Sequence, residues 1–84
     1  MKVYQVVEEV NGKVVDYGNI LYSKLFSACK KAAEIVEDNS DIAFLTAEEK
    51  TTIANSLYDE VEEYGEATKT INNRRVIVFQ WDVE

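Results

Sequence analysis

Eighty-four residues, 46% hydrophobic and 30% charged, predict one globular domain over residues 1–84 with no room for a second core. A net charge of −7, from nine Lys and Arg against sixteen Asp and Glu, excludes a general nucleic-acid binder, and one Cys with no His excludes a disulfide framework and the usual zinc sites. No apolar run approaches the ~18 residues of a membrane span, and Met1-Lys2-Val3-Tyr4 reads as a strand rather than a signal peptide, so the expected location is the cytoplasm.

In chain order, residues 2–10 and 13–17 flank Asn11-Gly12, the strongest short hairpin signal because both turn residues must take positive φ. A two-residue loop sets Val10 opposite Lys13, Glu8 opposite Val15 and Val6 opposite Tyr17. Tyr4, Val6, Val10, Val15 and Tyr17 then share one face, and Val3, Val7 and Val14 the other. The larger set is the expected core side, interrupted by Glu8.

From Ser23 to about Asp38 the period becomes helical. Leu25, Phe26, Cys29, Ala32, Ala33 and Val36 recur at spacings of three and four, with Ser23 as the expected N-cap. Asp38-Asn39-Ser40-Asp41 ends this helix with side chains that hydrogen-bond their own backbone, and Ile42, Phe44 and Leu45 are expected to tuck the connection onto the core. Thr46-Ala47-Glu48-Glu49 is a capping box and starts a second helix. Its stripe is Ile53, Ala54, Leu57, Tyr58, Val61 and Tyr64, and Gly65 supplies the left-handed residue that closes it.

The last segment alternates again. Residues 66–71 and 74–83 flank Asn72-Asn73, which suit a tight turn. Arg75, Ile77, Phe79, Trp81 and Val83 fall on one face of the final strand, Val76, Val78, Gln80 and Asp82 on the other. Apolar character on both faces predicts a central strand, with residues 66–71 nearer an edge. The order ββααββ predicts an α+β domain: a mostly antiparallel four-stranded sheet with two helices packed on one face. Val3, Val7, Val14, Val76 and Val78 would then line an outer face that is a dimer surface, a partner's patch or merely scattered surface valines.

Catalytic constellations fail at the first step. No His exists to activate Ser or Cys, and Cys29 lies on an apolar stripe, where it acts as a small hydrophobe. Gly12, Gly18 and Gly65 are too dispersed for a phosphate loop. The 38–41 run lacks the spacing, central Gly and distal Glu of a calcium loop. The acids lie on helix faces rather than across a cleft. The expectation is a non-enzymatic chain without cofactor or metal.

The charge distribution is more informative. Residues 1–33 carry +2 and residues 67–84 carry +1, whereas residues 34–66 hold eleven acids and one base, a net −10. Glu48 and Glu49 favour the positive end of the second helix dipole. Asp59, Glu60, Glu62 and Glu63 do the reverse: they crowd its negative end at repulsive i,i+3 and i,i+4 spacings, each contact costing about 0.2–0.5 kcal/mol. One reading is a solvated face that keeps a small protein soluble. The other is a surface that meets a basic partner, with Tyr58 and Tyr64 as aromatic anchors among the acids. The candidate partner-binding residues are Glu48, Glu49, Asp59, Glu60, Glu62, Glu63, Tyr64 and Glu66.

The opening Met1-Lys2-Val3-Tyr4-Gln5-Val6-Val7, the Asn11-Gly12 turn and the entry Tyr22-Ser23-Lys24-Leu25-Phe26 into an Ala-rich helix resemble the short proteins encoded by bacteriophages and low-GC bacteria. In size, acidity and mixed α/β content the chain resembles the anti-CRISPR and related anti-defence proteins of phages. That resemblance carries over no functional residue. It implies a binding inhibitor of a nucleic-acid-handling host protein, without catalysis. From the charge, a partner whose basic groove normally holds nucleic acid would meet carboxylates standing in for phosphates, with no direct nucleic-acid or membrane contact expected. The alternative is a self-associating assembly module, a homodimer included, that uses a sheet edge or the outer sheet face.

Overall fold

Asn11 (φ 53°) and Gly12 (φ 80°) both take the left-handed conformation that a tight antiparallel reversal demands, and the chain folds back there. The computed structural model describes residues 1–16, 18, 20–38, 46–71 and 73–83, and the side chains of all of these except 37, 38 and 71. The elements are β1 (Lys2–Val10), β2 (Lys13–Asp16), β3 (Leu21–Tyr22), α1 (Leu25–Asp38), α2 (Ala47–Tyr64), β4 (Glu66–Ile71) and β5 (Arg74–Asp82). Tyr17, the connection from Asn39 to Leu45, and Asn72 lie outside the described residues.

The sheet is antiparallel throughout, in the order β2-β1-β5-β4, with β3 also pairing β1. Among the described residues it therefore has five strands, not the expected four. β3 is only two residues long and carries no periodicity to betray it. It lies along Tyr4 and Gln5, while β2 lies along Glu8 to Val10, so both occupy one edge of β1. Between them Gly18 (φ 65°) is pressed against β1, where a Cβ would overlap the Val6 carbonyl oxygen. Asp16 Oδ1 accepts from the Gly18 N–H at 2.8 Å and holds that corner. As expected, β4 is an edge strand and β5 a central one.

Val10 pairs with Lys13 as the turn requires, but a register shift between Glu8 and Glu9 sets Glu8 opposite Asp16 rather than Val15. Val15 is consequently 58% exposed instead of joining the core.

The central pairing decides which faces are buried. β1 and β5 pair along their whole length, with Tyr4 opposite Gln80, Val6 opposite Val78 and Glu8 opposite Val76. Even-numbered residues of both strands thus share a face. Tyr4 and Val6 lie under the helices as expected, and Val76 and Val78 lie there with them. This corrects the placement of Val76 and Val78 on the outer face: Val78 is fully buried. The odd side of β5, with Phe79 and Trp81, is the one left open.

α1 packs over β1 and β5, and α2 over β4 and β5. Their contribution to the core is Leu25, Ala28, Cys29, Ala32, Ala33 and Val36 from α1, and Ala54, Leu57 and Val61 from α2. Fully burying a side chain such as Leu57 contributes about 1.5–3 kcal/mol. Three helical expectations need correction. The first α1 hydrogen bond runs from the Ala28 N–H to the Lys24 carbonyl, so the helix begins one residue beyond a Ser23 cap. Phe26 is 44% exposed, because it stands at the seam between helices, edge-on to Tyr58 at 6.5 Å, rather than toward the sheet. Tyr64 is 70% exposed in the last turn and leaves the buried stripe. The ends of α2 match expectation. Thr46 and Glu49 form the reciprocal capping box, and Gly65 (φ 83°) donates its N–H to the Val61 carbonyl.

Candidate functional site: two opposed surfaces

α2 presents its apolar stripe to the sheet and to α1, so its polar residues are turned outward. Glu48, Asp59, Glu62 and Glu63 are exposed and Glu60 half-buried. Asp59 and Glu63 are one turn apart, and Glu48 lies about three turns earlier on the same side. Glu49 is exposed but occupied, since its carboxylate accepts from the Thr46 N–H at 3.2 Å. Tyr64 is exposed beside Glu63, and Glu66 is exposed at the start of β4.

Four carboxylates therefore end a helix whose last turn carries no base, and none of them forms an ion pair with a described residue. Repulsion among them and against the helix dipole is left to solvent to screen. Tyr58 registers the field. The Glu62 carboxylate, close by and hydrogen-bonded to it, pushes the Tyr58 hydroxyl above its usual range.

Apart from Lys50 in the first turns of α2, the basic residues near the acids belong to other elements. Lys30 and Lys50 border a cleft of about 320 Å³ between α1 and α2, lined also by Phe26, Ala33 and Ala54. Lys2 and Lys24 border another of about 350 Å³ at the start of α1, with Tyr4, Tyr58 and Glu62. Cys29 is fully buried, and burial pushes its thiol up to about 11, so it is neither exposed nor ionised for nucleophilic work. Among the described residues no three potential metal ligands come together, and no helix is long and apolar enough to cross a membrane.

The second surface was not read correctly from the sequence. On the side of the sheet away from the helices, Val3 stands opposite Trp81, Gln5 opposite Phe79 and Leu21, and Val7 opposite Ile77. Trp81 is 51% exposed and Leu21 57% exposed, while Val7 and Ile77 are buried beneath their neighbours. Phe79 and Trp81 lie 6.1 Å apart, and the Trp81 indole N–H donates to Gln5 Oε1 at 3.1 Å. At one end Glu9, only 8% exposed, accepts two hydrogen bonds at Oε2 from Arg75, one from Nε at 2.7 Å and one from the terminal guanidinium nitrogen. The alternating Arg75, Ile77, Phe79, Trp81 pattern was visible. The missing knowledge was the register of β5 on β1.

No protein-family model matches the chain, and neither the curated proteins nor the solved structures yield a match.

Proposed function

We propose that this chain is a non-enzymatic protein-binding module whose acidic α2 face docks on a basic surface of a partner that otherwise holds nucleic acid. The observation that carries the reading is the cluster Asp59, Glu60, Glu62 and Glu63 at the end of α2 where it costs stability, with no base in the last turn to relieve it. Four charges over residues 59–63 at about 1.5 Å rise per residue give roughly one charge per 1.5–2 Å of axis, close to the ~1.7 Å of duplex DNA with both strands counted. A protein groove lined with Lys and Arg would meet a similar line density in either ligand. Tyr64, exposed at the end of the cluster, supplies an apolar body with a polar tip, as interface aromatics do. The size, acidity and mixed architecture shared with phage anti-defence proteins make an inhibitor of a host nucleic-acid-handling protein the form of this reading we favour.

The test is capture from cell extract with the chain as bait at low and high salt, identification of the bound protein, and repetition with Glu60→Lys/Glu63→Lys and with duplex DNA as competitor. Capture that weakens with salt, disappears in the charge-reversed variant and yields to DNA supports the reading. Equal capture by the variant refutes it.

A further inference from the structure

We propose that the open face of the sheet is the interface of a homodimer, two copies packing sheet to sheet through Leu21, Val3, Phe79 and Trp81. Charge is the first argument. The chain carries −7, yet the strand residues on this face are Val3, Gln5, Val7, Val14, Leu21, Ile77, Phe79 and Trp81, the mutually paired Glu9 and Arg75, and on β4 Thr68, Thr70 and Glu66. Only Glu66, at the β4 edge, is left as a net charge. A strongly charged partner finds little to pair with here, and a second copy can meet this nearly neutral face with little repulsion between the two.

The helix layer provides the second argument. α1 and α2 pack on the other side of the sheet, and the exposed Glu48, Asp59 and Glu63 lie on the far side of α2. They stand at least a helix diameter, about 10 Å, from the sheet, already beyond the ~8 Å Debye length at physiological salt. Face-to-face packing doubles that separation, so the two acidic layers point outward and do not oppose association.

Area is the third. β1 and β5, nine residues each, span about 30 Å, while β4 with six residues and β2 with β3, six between them, span about 20 Å on either side; at about 4.8 Å per strand the footprint is roughly 480 Å² per copy. Two copies together bury about 960 Å², below a standard stable interface and in the range of a weak, transient dimer. Aligned sheet packing lets the two faces interdigitate about 10 Å apart.

Sedimentation velocity from about 5 to about 500 μM brackets the micromolar affinity that goes with an interface of this size. Trp81 is the only tryptophan in the chain, so its emission reports this face and no other. The expected result is a concentration-dependent dimer whose Trp81 emission moves to the blue over the same range. Leu21→Glu, at an exposed position, is expected to weaken dimerisation at least about tenfold by setting charge into the neutral interface, with far-UV circular dichroism confirming the fold. A monomer throughout the range overturns the proposal. So does a dimer that keeps the dilute Trp81 emission, or one that survives Leu21→Glu, since either is held by the β4 edge or a helix. If Leu21→Glu does not fold, the wild-type emission and sedimentation together decide. Glu60→Lys/Glu63→Lys lies on the opposite layer and is expected to dimerise unchanged, so this proposal and the acidic-face reading fail separately.

Discussion

Replacing Glu63 with lysine reverses a charge in the last turn of α2, where the structure predicts a gain in stability. Asp59 lies one turn before it at i−4 and Glu60 at i−3 on the same helix. Converting each repulsion to an attraction is worth about 0.4–1.0 kcal/mol, from twice the usual 0.2–0.5 per pair. Exchanging an acid for a base at the negative end of the dipole adds a few tenths to 1 kcal/mol for each half of the change. Glu63 is exposed, so solvent screening reduces the total to about 1–2 kcal/mol at low salt. For a domain of this size that raises Tm by about 5–15 °C. In 1 M salt the Debye length falls to about 3 Å, and most of the gain disappears. Thermal unfolding followed by circular dichroism at low and at 1 M salt measures both. An unchanged or lowered Tm at low salt refutes the reasoning, as does a gain that survives 1 M salt. A variant that is more stable and yet no longer captures a basic partner would show stability traded for binding.

Other outcomes follow from single residues. Gly12→Ala and Gly65→Ala, where an added Cβ meets open space, lose only the left-handed penalty of about 1–2 kcal/mol. Gly18→Ala also drives a Cβ into the Val6 carbonyl, so urea titration gives a larger loss for it than for either. Arg75→Ala strands a buried Glu9 carboxylate and costs about 1–3 kcal/mol in the same assay, and Glu9→Gln in that background recovers part of it. Cys29 is expected to resist thiol reagents in the folded protein and to react on unfolding. Its folded value of about 11 lies above 9.0, so between those values the unfolded chain gives up a proton that the folded chain keeps. Stability therefore falls as pH rises above about 9 and is unaffected by this thiol below that. A Cys29→Ser comparison in urea at pH 7 and pH 10 checks it.

The legible parts of the fold were those governed by local chemistry. Asn11-Gly12, the Thr46–Glu49 box and Gly65 each announce a backbone conformation that few other residues accept, and each is where it was expected. The exposure of the α2 acids was legible as well, because the apolar stripe fixes which side of a helix meets water. The faces of β5 were not. Val76 and Val78 on one side and Ile77, Phe79 and Trp81 on the other are both apolar, so alternation alone could not choose. The choice comes from pairing with β1, roughly seventy residues away in the chain. The shift at Glu8 and Glu9 exposed Val15 for a related reason, since one extra residue in one strand undoes face assignments beyond it. Phe26 left the expected stripe because α1 serves two neighbours: its ring stands at the seam with α2, while Ala28, which the stripe did not include, is buried in the core.

The first and last strands are central neighbours, and Met1 and Val83 exchange backbone hydrogen bonds of 2.9 and 2.7 Å. During synthesis, at about 5–20 residues per second, β1 emerges roughly 4–14 s before β5. In that interval a valine-rich strand has an unsatisfied edge, open to a wrong partner. Glu8 and Glu9 set two adjacent negative charges on that strand, the kind of placement that disfavours wrong strand pairing. Arg74 and Arg75, opening β5, are the groups that pair with them in the finished sheet. The protection is thus removed by the same strand that makes it unnecessary.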